Sequence, residues 1–280
     1  MSLLFKIGVM QGRLLPKYNG QYQAHPVENW KSEFEVAKNV GLNSIQFLYD
    51  NNSVNSNPLN DDKGNDEIIL ISNETNISVP SICVDYFMHN PLYSNNKNEI
   101  NARLDLLRKL VASAKRIGAK DLIIPLLDKS SLDSDEKFLS FIRNIKKIKD
   151  LLQRYKVNIA LETDLPINKF LELIELIESP FCTINYDIGN SSGLGYSTKE
   201  EIIAYSKKIS SVHIKDRNKN NISVELGEGR AKFDIFFRHL KMIGYDGNLI
   251  METYRDDEGL KLFKKQLKWI MPYIDNFYKN

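Results

Sequence analysis

The feature that most constrains this chain is an alternation that recurs along its whole length: a short apolar run, a polar turn, an amphipathic segment, then the same order again. Short continuous apolar runs read as strands buried on both faces, and apolar residues three or four apart read as helices packed against them. A chain that alternates the two builds βα units, in which parallel strands are joined by helical crossovers.

The strands predicted in this way cover residues 5–10, 43–48, 78–85, 121–126, 157–162, 181–186, 210–214 and 248–252. The predicted helices cover 27–40, 66–75, 99–117, 134–155, 167–177, 198–207, 234–243 and 258–273. Gly41 and Gly118 close two of the helices and Ser134 is placed to cap a third. Between the second strand and second helix, residues 49–66 form an Asn- and Asp-rich segment too long for a tight turn, either a functional loop or surface decoration. The DIGNSSGLGY stretch after the sixth strand reads as a glycine-containing loop. No Pro/Gly/Ser-rich linker divides the units, so residues 1–280 are expected to form one α/β domain, an eightfold (β/α)8 TIM barrel. An open doubly wound sheet is the rival. The first βα junction, MQGRLLPKYNG, lacks the spaced glycines a dinucleotide site needs, and phosphate-loop, nucleophile-elbow and paired-cysteine patterns are absent.

With 42% hydrophobic and 26% charged residues the chain can bury a core without a staple. Cys83 and Cys182 sit inside apolar runs and read as small buried hydrophobes in a reducing compartment. The apolar run at the amino terminus is too short to span a bilayer, so a cytoplasmic protein is expected. Net charge is +2 with both signs interspersed, which predicts neither a nucleic-acid nor a membrane partner.

Four apolar runs close on ligand-type residues: Glu162, Asp187, His213 and Glu252, at the ends of strands five to eight. In a (β/α)8 barrel the carboxyl ends of all strands open on one mouth, so these residues line one arc of it. Three acids packed together repel unless a cation joins them, and one divalent cation is expected there. An oxygen-rich shell with a single nitrogen suits Mn²⁺, the favoured ion, or Mg²⁺ or Co²⁺ better than a structural Zn²⁺. Each residue alone has an ordinary alternative: an acid after a strand commonly caps a helix, and a lone histidine is commonly hydrogen-bonded. Their shared level on four consecutive strands favours a site.

Gln46 lies on the second strand, and Gln11, Arg13, Asp85, His89, Asp128, Asn190, Lys215, Asp216, Arg217 and Arg255 follow or end strands. Of these, Gln11, Arg13, His89, Asn190, Lys215, Asp216, Arg217 and Arg255 are the expected substrate contacts. Arg13, Lys215, Arg217 and Arg255 suit a phosphate or carboxylate, although each equally suits a rim salt bridge. Asp216 either orients a ligand or contacts a hydroxyl. His239, Trp30 and Trp269 lie at helical positions and read as structural.

The stretches LE (Leu161-Glu162), DIGN (Asp187 to Asn190), HIKD (His213 to Asp216), LGEG (Leu226 to Gly229) and METYR (Met251 to Arg255) carry a resemblance. Over essentially its whole length the chain resembles the xylose isomerase-like TIM-barrel superfamily. That superfamily comprises sugar and sugar-phosphate isomerases, ketose 3-epimerases, inosose dehydratases and endonuclease-IV-type repair enzymes. The resemblance implies a cation held by Glu162, Asp187, His213 and Glu252, with Glu162 and Glu252 also acting as the acid/base pair of an epimerase or isomerase of a sugar or sugar phosphate. A dehydratase of the inosose or 3-dehydroshikimate type is the alternative, a non-catalytic carbohydrate-binding barrel the third, and self-association into a homo-oligomer stays open. Two departures matter. Asn190 stands where many relatives carry a histidine, and an amide cannot shuttle a proton at neutral pH. Only His25, His89, His213 and His239 are present, too few for the trinuclear zinc cluster of the endonuclease branch.

Overall fold

The computed structural model describes residues 6–52 and 54–279; Phe5, the expected start of the first strand, lies outside them. Eight strands, β1 (Ile7–Met10), β2 (Ser44–Leu48), β3 (Ser81–Cys83), β4 (Asp121–Leu126), β5 (Asn158–Thr163), β6 (Cys182–Asp187), β7 (Ile209–Ile214) and β8 (Leu249–Met251), pair in sequence order as a closed barrel. Every neighbouring pair is parallel, and β8 closes on β1. Around them run α1 (Trp30–Val40), α2 (Asp62–Thr75), α3 (Tyr86–His89), α4 (Lys97–Ile117), α5 (Asp135–Lys146), α6 (Lys149–Tyr155), α7 (Ile167–Ile177), α8 (Ile188–Leu194), α9 (Thr198–Tyr205), α10 (Phe233–Met242) and α11 (Leu260–Tyr278).

Side chains alternate between the two faces of a strand, so each strand serves two cores. Met10, Leu48, Cys83, Ile123, Ala160 and Ile250 form a small apolar layer inside the barrel. The larger core lies between the strands and the helices. Two residues beyond the inner layer, at the next inward position of their strands, stand Asp85, Glu162 and Glu252. The apolar layer is therefore the floor on which the polar mouth rests.

Five local expectations change. The third strand is shorter than 78–85, because Pro80 has no N–H to give the ladder and acts through its carbonyl, which accepts from Lys120 N at 2.8 Å. The expected helix 134–155 divides into α5 and α6. A tight turn, with Ile148 N donating to Ile145 O at 3.0 Å, redirects the chain so that α5 packs on α7 and α6 on α4. The expected loop after β6 folds as α8, capped by the Asp187 carboxylate accepting from Asn190 N; its Gly and Ser content hides the helix from propensity. Residues 49–66 are only partly loop: α2 begins at Asp62 with Asp61 as its cap, and Leu59 is buried in a turn packed on α2 and α4. The last helix also runs on to Tyr278, through Pro272. No helix among the described residues is long and apolar enough to cross a membrane.

Candidate metal centre and active site

Glu162, Asp187 and His213 converge: one ligand atom from each lies within 4.8 Å of the others, and all three residues are buried. The register of the strands brings them together. β6 and β7 slip by one residue between Ile184 and Asn185, which sets Asn185 level with Ser211 and Asp187 level with His213. Because β5 pairs with β6 and β6 with β7, the inward side chains at their carboxyl ends stand side by side on one arc of the mouth.

The tautomer of His213 follows from a chain of bonds. Gln46 donates Nε2–H to Ser81 Oγ at 2.8 Å, which turns its Oε1 toward His213 Nε2, also at 2.8 Å. Nε2 therefore carries the proton in a neutral ring, and Nδ1 is the nitrogen aimed at the acids. Around Nδ1 stand Glu252 Oε2 at 2.8 Å, Glu162 Oε2 at 3.3 Å and Asp187 Oδ2 at 3.8 Å. Burial alone lowers a histidine pKa, but these carboxylates outweigh it and hold His213 well above its ordinary value.

A divalent cation fits this donor set. Asp187 Oδ2 is buried without a hydrogen-bond partner, and the cations Lys215 and Arg13 stand nearest Glu252, which leaves the Glu162 and Asp187 carboxylates beside the His213 nitrogen as a donor set for a cation. Glu162, Asp187 and the Nδ1 of His213 would hold the ion. Glu252 stands outside this compact group and meets it at His213.

The surroundings of the two glutamates differ. Glu162 is clamped by neutral amides, Asn190 Nδ2 on Oε1 at 2.5 Å and Asn185 Nδ2 on Oε2 at 2.7 Å. Glu252 is clamped by cations: Lys215 Nζ donates to Oε1 at 2.7 Å, and Arg13 Nη2 lies 3.7 Å away. Burial pushes the Glu252 carboxyl up, but Lys215 and His213 more than reverse this and hold it well below the usual range. Lys215, itself buried, is raised by the same pairing and by Asp187.

These groups face a cavity of about 320 Å³ whose lining includes Asp85, Glu162, Asn190, Lys215, Arg217 and Glu252. Asp128 also lines it. Several other expected contacts are turned elsewhere. Arg255 donates to Gly12 O and Leu15 O at 2.6 and 2.7 Å, so it pins the loop after β1. Arg13 donates to Tyr22 O and Gln23 Oε1 at 3.0 and 2.6 Å. His89 is exposed at the end of α3. Asp216 is fully buried, with its carboxylate accepting from the amides of Gly227, Gly229 and Ala231, so it shapes the turn rather than the cavity wall. His239 is buried with Nδ1 on Ile235 O, whereas Trp269 is 38% exposed and packs over Gly227 and Phe233.

Sequence reasoning missed Asn185, Gln23 and Glu33. Asn185 had a legible signal, a polar residue in an apolar run two positions before Asp187 and thus on the same face. Glu33 had none. It is buried on α1 and accepts from Gly12 N at 2.8 Å and Leu14 N at 3.1 Å, holding the turn that carries Arg13. Gly12 has φ 88° and a Cβ there would meet Ala24 O at 2.8 Å, so the turn requires glycine.

Gln11 accepts from Leu48 N at 3.0 Å and contacts His25 Nδ1 at 2.9 Å, tying β1 to β2. Burial lowers His25 to about 4, against the opposing charge of Asp50. An unfolded histidine takes up its proton near pH 6.5, so this contribution to stability is complete above pH 6.5 and is lost as pH falls toward 4. Between pH 7.5 and pH 5 the loss is about 2 kcal/mol. Glu33 has the opposite sign: burial pushes it up to about 7, so its contribution is complete at acid pH and lost as pH rises. Comparing wild type with His25→Gln isolates the histidine. The urea midpoint of the variant should fall less between pH 7.5 and pH 5 than that of wild type.

Fold and site together define a (β/α)8 barrel with a buried carboxylate–histidine centre at the carboxyl ends of its strands. The chain belongs to the xylose isomerase-like TIM barrel family, whose model matches residues 34–273. It is 27% identical over 238 residues to L-ribulose-5-phosphate 3-epimerase UlaE of Salmonella paratyphi A, covering 82% of this chain and 84% of that protein. It is 25% identical over 263 residues to a putative L-ribulose-5-phosphate 3-epimerase, SgbU, of Haemophilus influenzae, covering 88% and 92%. Among solved structures, the IolI protein with a zinc atom shares the fold with a TM-score of 0.76 at 16% identity, over 99% of this chain and 100% of that one.

Proposed function

We propose that this chain is a divalent-cation-dependent epimerase or isomerase of a ketose or ketose phosphate, moving a proton on a carbon beside the carbonyl. The observation that carries this reading is the approach of Glu162 and Glu252 to a single nitrogen of His213, at 3.3 and 2.8 Å, beside a cavity of sugar size. Two carboxylates on either side of a bound carbon let a proton leave by one face and return by the other. Relatives named as 3-epimerases support this direction.

Glu162, Asp187 and His213 would hold a divalent cation, which when bound would supply positive charge to offset negative charge developing on the substrate. The protein does the rest. Asn185 and Asn190 fix both oxygens of Glu162 without neutralising it, and Lys215 fixes Glu252. The apolar floor of Met10, Leu48, Cys83, Ile123, Ala160 and Ile250 limits water from below. The substrate is a free small molecule, which accords with a cytoplasmic enzyme.

Incubating ketopentoses and their 5-phosphates with the protein and Mn²⁺ in deuterated water tests the reading. Deuterium at the carbon beside the carbonyl, with inversion there, is expected. Enone absorbance with loss of water would move the assignment to a dehydratase, and no exchange with any sugar would overturn it. Independently of turnover, Mn²⁺ added to chelator-treated protein should raise the thermal midpoint by about 5 °C or more near a hundredfold excess over Kd. His213→Ala should abolish that response.

A further inference from the structure

Two carboxylates in the cavity, Asp85 and Asp128, are used by neither the cation set nor the acid/base pair, and Asp85 is the one tied by hydrogen bonds to the wall of the site. Asp85 follows β3, across the barrel from the arc of β5 to β8, and lines the same cavity as Glu162 and Glu252. It occupies the position before α3 where an aspartate ordinarily caps the helix, yet its side chain makes no capping bond. Instead the carboxylate is turned to the mouth. Gln23 Nε2 donates to Oδ2 at 2.6 Å and the Cys83 thiol to Oδ1 at 3.1 Å.

Both donors are neutral, and among the described residues no Lys or Arg forms an ion pair with Asp85. Burial, with Glu252 and Glu162 nearby, pushes its carboxyl up to about 6, so it is mainly ionised at neutral pH. The carboxylate is also held in place from the far side of the site. Gln23 accepts from Arg13 at 2.6 Å, and Arg13 reaches Glu252 at 3.7 Å, so a continuous polar chain links Asp85 to Glu252 around the wall.

Each Asp85 oxygen has lone pairs beyond the one bond it accepts, and the cavity is the open direction. A carboxylate without a counter-charge attracts hydroxyl donors and repels phosphate. Arg217, on the β7 side of the same cavity, has the opposite preference.

Resting on the epimerase reading, we propose that Asp85, positioned by Gln23, accepts a hydrogen bond from a substrate hydroxyl outside the reacting carbons. The end of the sugar that faces β3 is thus an uncharged polyol, and any phosphate lies toward Arg217. Asp85 is a specificity-determining residue and Gln23 a positioning residue.

The test is binding of the unreactive pentitols ribitol and arabinitol, by calorimetry, to the Mn²⁺-loaded wild type, Asp85→Asn and Gln23→Leu, with kinetics on a turned-over ketose alongside. Asp85→Asn should weaken the better pentitol tenfold to a hundredfold, the range of one hydrogen bond to a charged acceptor. It should raise KM similarly while kcat stays within about threefold and the thermal midpoint holds. Gln23→Leu should fall between the two. Among monodeoxy ketoses, one deoxy position should erase the difference between wild type and Asp85→Asn. Equal pentitol affinity in the two proteins, no pentitol binding to wild type, or an effect on kcat alone would overturn the proposal. Pentitol discrimination without ketose exchange would preserve it and remove the epimerase reading instead.

Discussion

Glu252→Gln should lower turnover by about 10²- to 10⁴-fold, the contribution of a positioned acid or base, while the far-ultraviolet spectrum of the barrel stays that of wild type. Glutamine keeps the shape of the side chain and removes its charge. That charge is the partner of Lys215 at 2.7 Å and the near neighbour of His213 at 2.8 Å, all in a buried setting. Breaking a buried pair leaves its cation uncompensated, at a cost of about 3–5 kcal/mol. Here the cost should fall toward the low end, because Asp187 lies 3.7 Å from Lys215 and takes up part of the charge. Adding Lys215→Met to Glu252→Gln should recover much of the lost stability and none of the turnover. Urea unfolding of the two variants, beside their exchange rates in deuterated water, separates the structural from the chemical role. A Glu252→Gln protein that turned over within tenfold of wild type would remove Glu252 from the mechanism.

Asp216→Ala should cost about 3 kcal/mol of stability, more than a typical change beside a loop. The Asp216 carboxylate is fully buried and accepts from Gly227 N at 3.0 Å, Gly229 N at 2.9 Å and Ala231 N at 3.0 Å. Alanine would leave all three amides without an acceptor. Water could reach some of them, since Gly227 is exposed, and this keeps the figure below the sum of three buried losses. The turn is built around the carboxylate: a Cβ on Gly229 would come within 2.1 Å of Asp216 Oδ1. Asp216→Asn, which keeps one acceptor oxygen, should recover part of the loss in chemical denaturation. Because Asp216 holds the segment behind Arg217 and Ser223, the alanine variant should also bind sugar more weakly while its Mn²⁺ affinity is unchanged. Equal loss of metal binding would place Asp216 in the metal centre instead.

The amino-acid sequence carried the barrel and the level of the site for a physical reason. Strand and helix periodicities are local, and a parallel barrel puts the end of every strand at one mouth, so Glu162, Asp187, His213 and Glu252 were legible as neighbours before any contact was known. It also carried the weak point of helix reading: the Gly- and Ser-rich α8 was hidden, because packing against β7, with Gly189 close against Lys215, overrides poor propensity.

What each polar side chain does at the mouth was decided only by tertiary structure. Gln46 and His213 are 167 residues apart, yet their bond sets which nitrogen faces the acids. Arg255 resembles a substrate clamp in sequence and is turned instead to the carbonyls of Gly12 and Leu15. Asp216 and Asp85 are both acids just past a strand. Three backbone amides claim the first, and a glutamine and a thiol hold the second open to the cavity. Spacing along one strand fixes the height of a side chain in the barrel, but its orientation depends on donors and acceptors from distant strands, which a linear pattern does not encode.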